Sequence, residues 1–585
     1  MTEPLAASPD AGAPAPGVHL LLMWHMHQPD YRDRGTGEFA MPWVYLHAIK
    51  DYADMAWHLE QHPQVHAVVN FVPVLLDQIE DYCDQFTLGV LRDPLLRLLA
   101  RTEDRPLSES ERRYAFDQCF RANHNQLIAP FPAYRRLYDI FQATQSQGEA
   151  SLGYLADRFL FDLITWHHLA WTGETVRRGS DVVAQLLAKG EHFTFDDRMG
   201  LLRVVAEQVR AVIPRYRALA ERGQIEITTT AHCHPLAPLL LDFSSARDAL
   251  PGIALPDSAA YPGGDERVRF HIDSALASHA RRFGAAPAGV WPAEGAISER
   301  FAALLAHKGV RWTASSEGVL ANSLRKDPGE VPGGAAHRPY RAQEFTSDLT
   351  FFFRDDRISD LIGFAYSKWD GGDAARNFLH EIESIGIRTA GQARPVVSVI
   401  LDGENPWEYY PYNGFYFLHE LYKALSKHPA IRTATGSELL DRIATAPPGN
   451  SHEIDVGSLR SMAAGSWVYG NFATWIGVPD KNRAWDLLCG AKHAYDAVLA
   501  SGRLDEVRRH HAQAQLADCE ASDWFWWPGD DNPSSAVAAF EALFRSKLTN
   551  LYRILGVPVP DALRVAFTKG GGDAEVGGTM KRAVR

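Results

Sequence analysis

Four short stretches of the chain place acid–base side chains beside flat aromatic rings. They are Trp24-His25-Met26-His27-Gln28-Pro29, His232-Cys233-His234-Pro235-Leu236, Trp291-Pro292-Ala293-Glu294-Gly295 and Asp402-Gly403-Glu404-Asn405-Pro406-Trp407-Glu408. Two carboxylates from distant parts of a chain suit glycosidic cleavage. One attacks or stabilises the oxocarbenium-like centre, and the other protonates the leaving oxygen. Histidine and glutamine can hold sugar hydroxyls, and indole rings can stack on sugar faces. Each residue alone has a plainer reading. Glu294 can cap a helix, Asp402-Gly403 is a common turn pair, and single tryptophans are more often core. The combination favours the chemical reading. A second chemistry is also open, because the pairs His25/His27 and His232/His234, with Asp30 or Asp402, offer a ligand set for a divalent metal and hence a metal-dependent hydrolase. A third reading is a catalytically silent sugar-binding protein, against which intact Glu294 and Asp402 argue.

These stretches need strands to hold them. Apolar runs at Val18–Trp24, Val65–Val72, Ile225–Thr230, Ala288–Trp291, Gly309–Ala314, Leu349–Phe353, Val396–Leu401 and Ile431–Thr435 read as buried parallel strands. Helical stretches such as Glu299–His307 and Gly414–Ser426 separate them, which predicts a parallel α/β barrel with its chemistry at the C-terminal strand ends. The expected catalytic barrel covers residues 17–445. It includes a helical insertion at about 75–222, where Ser108–Asn123 and Arg198–Arg222 read as helices. Pro447-Pro448-Gly449 punctuates the change to a C-terminal helical domain at 446–568, with helices at Trp485–Ser501, Leu504–Leu516 and Ser535–Leu555. Residues 1–16 read as a loose tail and 569–585 as a Gly-rich, frayed one.

The composition sets the outer limits. The chain has 585 residues and 15 Trp, with 59 Lys+Arg against 72 Asp+Glu and a net charge of −13. That field disfavours nucleic acid and anionic membrane and is indifferent to a neutral polyol. Five cysteines without C-x-x-C spacing argue against a disulfide framework and fit a reducing compartment. The run Val18–Met23 is too short for a membrane span and lacks the flanks of a signal peptide. These features predict a cytoplasmic protein and leave its oligomeric state open.

In order along the chain, these motifs resemble glycoside hydrolase family 57. The resemblance rests on His27-Gln28-Pro29, on His234-Pro235-Leu236-Ala237-Pro238-Leu239, on Trp291 to Glu294 and on Leu401 to Pro406. Gly465-Ser466-Trp467 to Trp485 and Ser522-Asp523-Trp524-Phe525-Trp526-Trp527 complete it. It implies a (β/α)7 barrel with an inserted helical subdomain and a helical C-terminal domain. It also implies retaining double displacement on α-glucosidic bonds, with Glu294 as nucleophile and Asp402 as acid/base, the carboxyls about 5–5.5 Å apart. Asp402 should have a raised pKa, with Glu404 and Glu408 as candidate sources of repulsion. His25, His27, Gln28, His234, Trp291, Glu404, Trp407, Trp467, Trp475, Asp523 and Trp524 become candidate substrate-binding residues, with Trp291 and Trp467 the favoured sugar platforms. No cofactor or metal is required. Within the family the chain looks most like amylopullulanases and α-amylases. Branching enzymes more often carry Cys after the nucleophile, where this chain has Gly295, and 4-α-glucanotransferases tend to have a β-rich C-terminal domain. The expected substrate is a glycogen- or starch-like α-glucan, cut at α-1,4 and conceivably α-1,6 bonds. Branching or glucanotransfer on the same site is the alternative.

Overall fold

The structure is a computed structural model and describes residues 17–326, 334–346, 348–390, 392–445, 453–572 and 578–583. The predicted tail 1–16 and Pro447-Pro448-Gly449 lie outside the described residues. Seven parallel strands close a barrel: β1 (Val18–Met26), β2 (Ala67–Phe71), β3 (Ile225–Thr229), β4 (Gly289–Val290), β5 (Trp312–Ser316), β6 (Thr350–Arg354) and β7 (Val396–Asp402). β7 shuts the ring by pairing with both β1 and β6. Each strand coincides with an apolar run of the sequence, because a parallel strand covered on both faces has no polar side to alternate with. The eighth run is a shorter strand, Ile431–Thr433. It pairs with Val18–Leu20 of β1, while β2 takes Met23–Met26, so the ring closes with seven strands.

Period two decides what the strands aim inward. Leu21, Met23, Val68, Trp291, Trp312, Ala314, Phe352, Val396 and Ile400 form one sealed cluster that fills the barrel. It is a packed plug, not a pore. The same parity, carried one step up each strand, changes from apolar to polar: His25 on β1, Asn70 on β2, Thr228 on β3, Arg354 on β6 and Asp402 on β7. Register puts several of these on one rung, with His25 opposite both Asn70 and Asp402, and Asn70 opposite Thr228. A polar layer thus rests on an apolar plug.

Helices supply the outer cover. Between β2 and β3 the chain runs through helices including Pro73–Leu88, Glu109–Cys119 and Asp157–Trp171. It returns on Phe195–Glu221, whose start is fixed by a reciprocal cap between Thr194 and Asp197. After the barrel, Pro479–Ala500, Glu506–Cys519, Asp523–Trp526 and Ser534–Leu555 stack over its C-terminal rim. Buried ion pairs join the two parts: Arg267 and His271 both contact Glu520, and Arg34 contacts Asp518. Backbone bridges Pro235–Ala521 and Ile297–Gly465 add to the seam. Of the C-terminal stretch, residues 578–583 pack against this seam. Trp526 Nε1 donates to Gly578 O at 2.8 Å and Ala583 N donates to Asp360 Oδ2 at 3.0 Å. Lys581 pairs with Asp531, and Met580 is buried.

The plug is tightest at its lower end. The Trp312 indole donates to Glu226 at 2.8 Å and lies against Gly289 and Gly436. A Cβ at Gly289 would come within 2.1 Å of that ring. Gly289→Ala should therefore overpack the barrel at a cost of about 1–3 kcal/mol. The check is a thermal unfolding midpoint lowered by several degrees, and an unchanged midpoint would mean that the ring moves freely.

Candidate functional site

One cleft of about 360 Å³ opens above the polar layer, lined by His25, His27, Gln28, His234, Glu294, Arg354, Asp402, Glu404, Trp467 and Asp523 among others. Glu294 follows β4 on a tight turn with φ 58° and ψ 24°, and Gly295 is left-handed too, at φ 59°. A non-glycine residue held there carries about 1–3 kcal/mol of strain. Trp467 holds it in place: its N–H donates to Glu294 O at 3.0 Å and its indole to Glu294 Oε2 at 3.0 Å. Ser522 Oγ donates to Oε1 at 3.1 Å. Both carboxylate oxygens are thus gripped from the C-terminal part of the chain. His234, also left-handed at φ 60°, donates from Nδ1 or accepts there from Ser522 Oγ at 2.8 Å.

Asp402 ends β7 and accepts from Asn405 Nδ2 at 2.9 Å. Burial pushes its pKa up to about 6, and Asn405, His27 and Arg354 hold it down. Burial likewise pushes Glu294 up to about 8, with the charges of Asp402 and Asp523 adding to it. Burial is the main cause of the Asp402 shift, and the repulsion between Asp402 and Glu404 is expressed as a rise on Glu404. The Glu404 side chain turns away to accept from His27 N and Gln28 Nε2, each at 3.2 Å, and is itself driven well up by burial and then by Asp402. Glu408 lines the cleft but is not among the causes of the Asp402 shift. Burial holds His25 down to about 3 and His234 well below the usual histidine range, so both imidazoles are neutral. The cleft therefore concentrates weak acids that keep their protons near neutrality, which is a setting for acid–base work.

The other expected residues divide. His27 stacks on His234 at 3.8 Å and shares Nε2 with both oxygens of Asp523 at 3.1 Å. Four of the expected tryptophans do not reach the cleft. Trp291 is part of the barrel plug and meets Trp467 edge-on at 5.3 Å, so it supports the site from below. Trp407 donates to Gly403 O and packs on Trp24. Trp475 and Trp524 are buried among the C-terminal helices. Rings at the cleft instead come from Trp43, Trp467, Trp526, Trp527 and Phe540. Trp467 was a favoured platform, and Trp526 and Trp527 lie in the stretch that carries the resemblance; sequence reading missed Trp43 and Phe540, along with Asn70, Ser522, Arg354, Arg121 and Met580. Asn70 and Arg354 carried a usable signal, as lone polar residues in apolar runs at inward parity.

The geometry does not favour the metal reading. His232 turns out of the cleft to Asp77 and Ser274, and Asp30 is taken by Arg32, Arg34 and Lys547. Ligand atoms of His27, His234 and Asp523 lie within 4.8 Å of one another. Imidazole lone pairs, however, lie in the ring plane, and two rings stacked 19° from parallel cannot both point at one ion. No helix among the described residues is long and apolar enough to cross a membrane.

No curated protein matches the sequence. Among solved structures, a family 57 branching enzyme from Thermococcus kodakaraensis superposes with a TM-score of 0.54 at 16% identity, covering 92% of this chain and 90% of that one. An α-amylase from Thermotoga maritima gives 0.55 at 14% identity over 94% and 96%. A branching enzyme from Pyrococcus horikoshii gives 0.50 at 14% over 97% and 99%. At such identities these likenesses speak for the fold. The sequence itself matches the profile of glycosyl hydrolase family 57 over residues 21–448. With that match over well more than half its length, and the seven-stranded barrel to go with it, the chain belongs to glycosyl hydrolase family 57.

Proposed function

We propose that the cleft cleaves α-glucosidic bonds of glycogen- or starch-like α-glucans by retaining double displacement, principally at α-1,4 linkages. One observation carries the roles: both oxygens of Glu294 receive a donor, while Asp402 receives one and faces the cleft. A nucleophile must be ionised and aimed, which two fixed donors favour. An acid/base must exchange a proton with substrate and water, which a lightly held carboxyl does. The solved neighbours are a branching enzyme and an α-amylase by description, in keeping with an α-glucan. The ring walls of Trp43, Trp467, Trp526 and Trp527 suit stacking on sugar faces.

The two carboxyls titrate as a pair, and their pKa values belong to the pair. Below about pH 6 both are protonated, and above about pH 8 neither is. Between those limits one proton is shared. In the free cleft it rests mainly on Glu294. The positive charge that develops at the anomeric carbon stabilises ionised Glu294, so the productive complex carries the proton on Asp402. From there it passes to the leaving oxygen, and Glu294 closes the glycosyl bond. Water then gives a proton back to Asp402 as it opens the ester.

Three outcomes test this reading. First, kcat/KM on soluble starch should be bell-shaped in pH, with its limbs near 6 and 8, and a profile still rising at pH 9 would contradict the shared proton. Second, Asp402→Ala should lose about 10²–10⁴-fold on starch and, with azide, release an α-glucosyl azide. Glu294→Ala with azide should give the β product, and full activity in either variant would remove its assignment. Third, residues 578–583 add Thr579, Met580, Lys581 and Ala583 to the cleft wall. Ending the chain after residue 572 should lengthen the oligosaccharides released from amylose, read by chromatography. Linkage analysis of the same products separates hydrolysis from branching and from glucanotransfer.

A further inference from the structure

A single line of hydrogen bonds runs from the barrel wall to the carboxyl of Glu294. Asn70 Oδ1 meets His25 Nδ1 at 2.7 Å, and His25 Nε2 meets His234 Nε2 at 3.1 Å. His234 Nδ1 meets Ser522 Oγ at 2.8 Å, and Ser522 Oγ meets Glu294 Oε1 at 3.1 Å. Asn70, His25, His234 and Ser522 are all buried, and the two rings reach the cleft floor beside Glu294. Both imidazoles are neutral, so each has one N–H donor and one bare acceptor. A line of such groups can be satisfied only if every donor points the same way.

Two arrangements exist. When Glu294 is ionised, the Ser522 hydroxyl donates to Oε1. His234 must then carry its proton on Nδ1 and His25 on Nε2, and His25 Nδ1 accepts from the Asn70 amide. When Glu294 is protonated, its O–H donates to Ser522 Oγ and the hydroxyl donates to His234 Nδ1. His234 then carries its proton on Nε2 and His25 on Nδ1, which donates to the Asn70 carbonyl. Asn70 can serve either arrangement by turning its amide. Its other partners are the hydroxyls of Thr228 and Thr230, at 3.0 Å each, and a hydroxyl can rotate to donate or accept.

We propose that Asn70, His25, His234 and Ser522 are positioning residues that couple the protonation of Glu294 to a joint tautomer switch of the two histidines. No proton leaves through the line, because Asn70 cannot take one. The proton that Glu294 loses goes to the cleft, where Asp402 and solvent stand. Each imidazole gives up the proton on one nitrogen and takes one on the other by exchange with water in the cleft, which both rings line, and the amide turns; the number of protons on the two rings is unchanged, so the count changes only at Glu294. The charged groups facing these residues are Asp402 and Asp523 beside Glu294, His27 stacked on His234 and near His25, and Arg354 over the Trp467 ring. The apolar plug beneath, with Trp291 beside His25, keeps competing water out of the lower side.

The test is nitrogen-15 NMR of the full chain labelled at histidine, with His25 and His234 assigned by His25→Gln and His234→Gln variants. Between pH 5 and pH 9 the two rings should exchange tautomers in opposite senses with one common midpoint, set by Glu294 and absent in Glu294→Gln. Ser522→Ala should leave both rings fixed across the range and move the alkaline limb of kcat/KM upward by about one unit, since ionised Glu294 loses a donor. Ser522→Thr, which keeps the hydroxyl, should restore both. Rings that hold one tautomer throughout in the unaltered protein, or that change with different midpoints, would overturn the proposal. The tautomer readout needs no substrate, so its failure is separable from a failure to cleave α-glucans.

Discussion

The desolvation of Glu294 is the constraint around which the rest of the molecule is arranged. Removing a carboxyl from water disfavours its charge, and a second carboxyl in the same cleft disfavours it further. Only fixed donors can offset that, and the barrel supplies none to the side chain itself. They arrive from Trp467 and Ser522, in the part of the chain that follows the last strand. The long seam between barrel and C-terminal helices has its reason here. The buried Arg267–His271–Glu520 cluster and the Pro235–Ala521 bridge stand within a few residues of Ser522. A loose seam would leave a buried carboxyl with no partners, a costlier state than never burying it.

Strain follows the same logic. His234, Glu294 and Tyr469 all adopt left-handed backbone, and each costs about 1–3 kcal/mol that surrounding contacts must over-determine. Each is pinned by a bond across the seam: Ser522 N to His234 O, Trp467 N to Glu294 O, and Tyr469 N to Ala583 O. The site is thus held by three crossings between distant parts of the sequence. The plug of Trp291, Trp312 and Phe352 gives these crossings a rigid floor.

The sequence was a good guide where one physical rule acted alone. Seven apolar runs became seven barrel strands, because burial on both faces leaves a continuous signature. Glu294 and Asp402 were legible because they follow such runs directly. The tryptophans were not, since proximity to a motif does not say which way a ring points. Trp291 continues the inward series and becomes plug, while Trp407 folds beneath its own turn. Parity would have exposed Asn70 and Arg354 had it been carried to the strand tops. The repulsion expected between Glu404 and Asp402 is present and raises Glu404, whose side chain finds its own donors in His27 and Gln28. Ser522 and residues 578–583 gave no local cue. Their roles exist only after the C-terminal helices have closed over the rim.

The packing of residues 578–583 into the wall has a consequence for how such a cleft comes into being. Its lining begins at His25 and ends at Ala583. A ribosome therefore releases the first catalytic strand long before the groups that complete the pocket exist. The barrel has to wait, folded or part-folded, with its polar upper layer open to water and to other proteins. An early stop, or a clip by a protease near the end of the chain, would leave a barrel of normal appearance with an unfinished pocket. Damage there would show first in the pocket, since Thr579, Met580, Lys581 and Ala583 line the cleft and belong to no barrel strand.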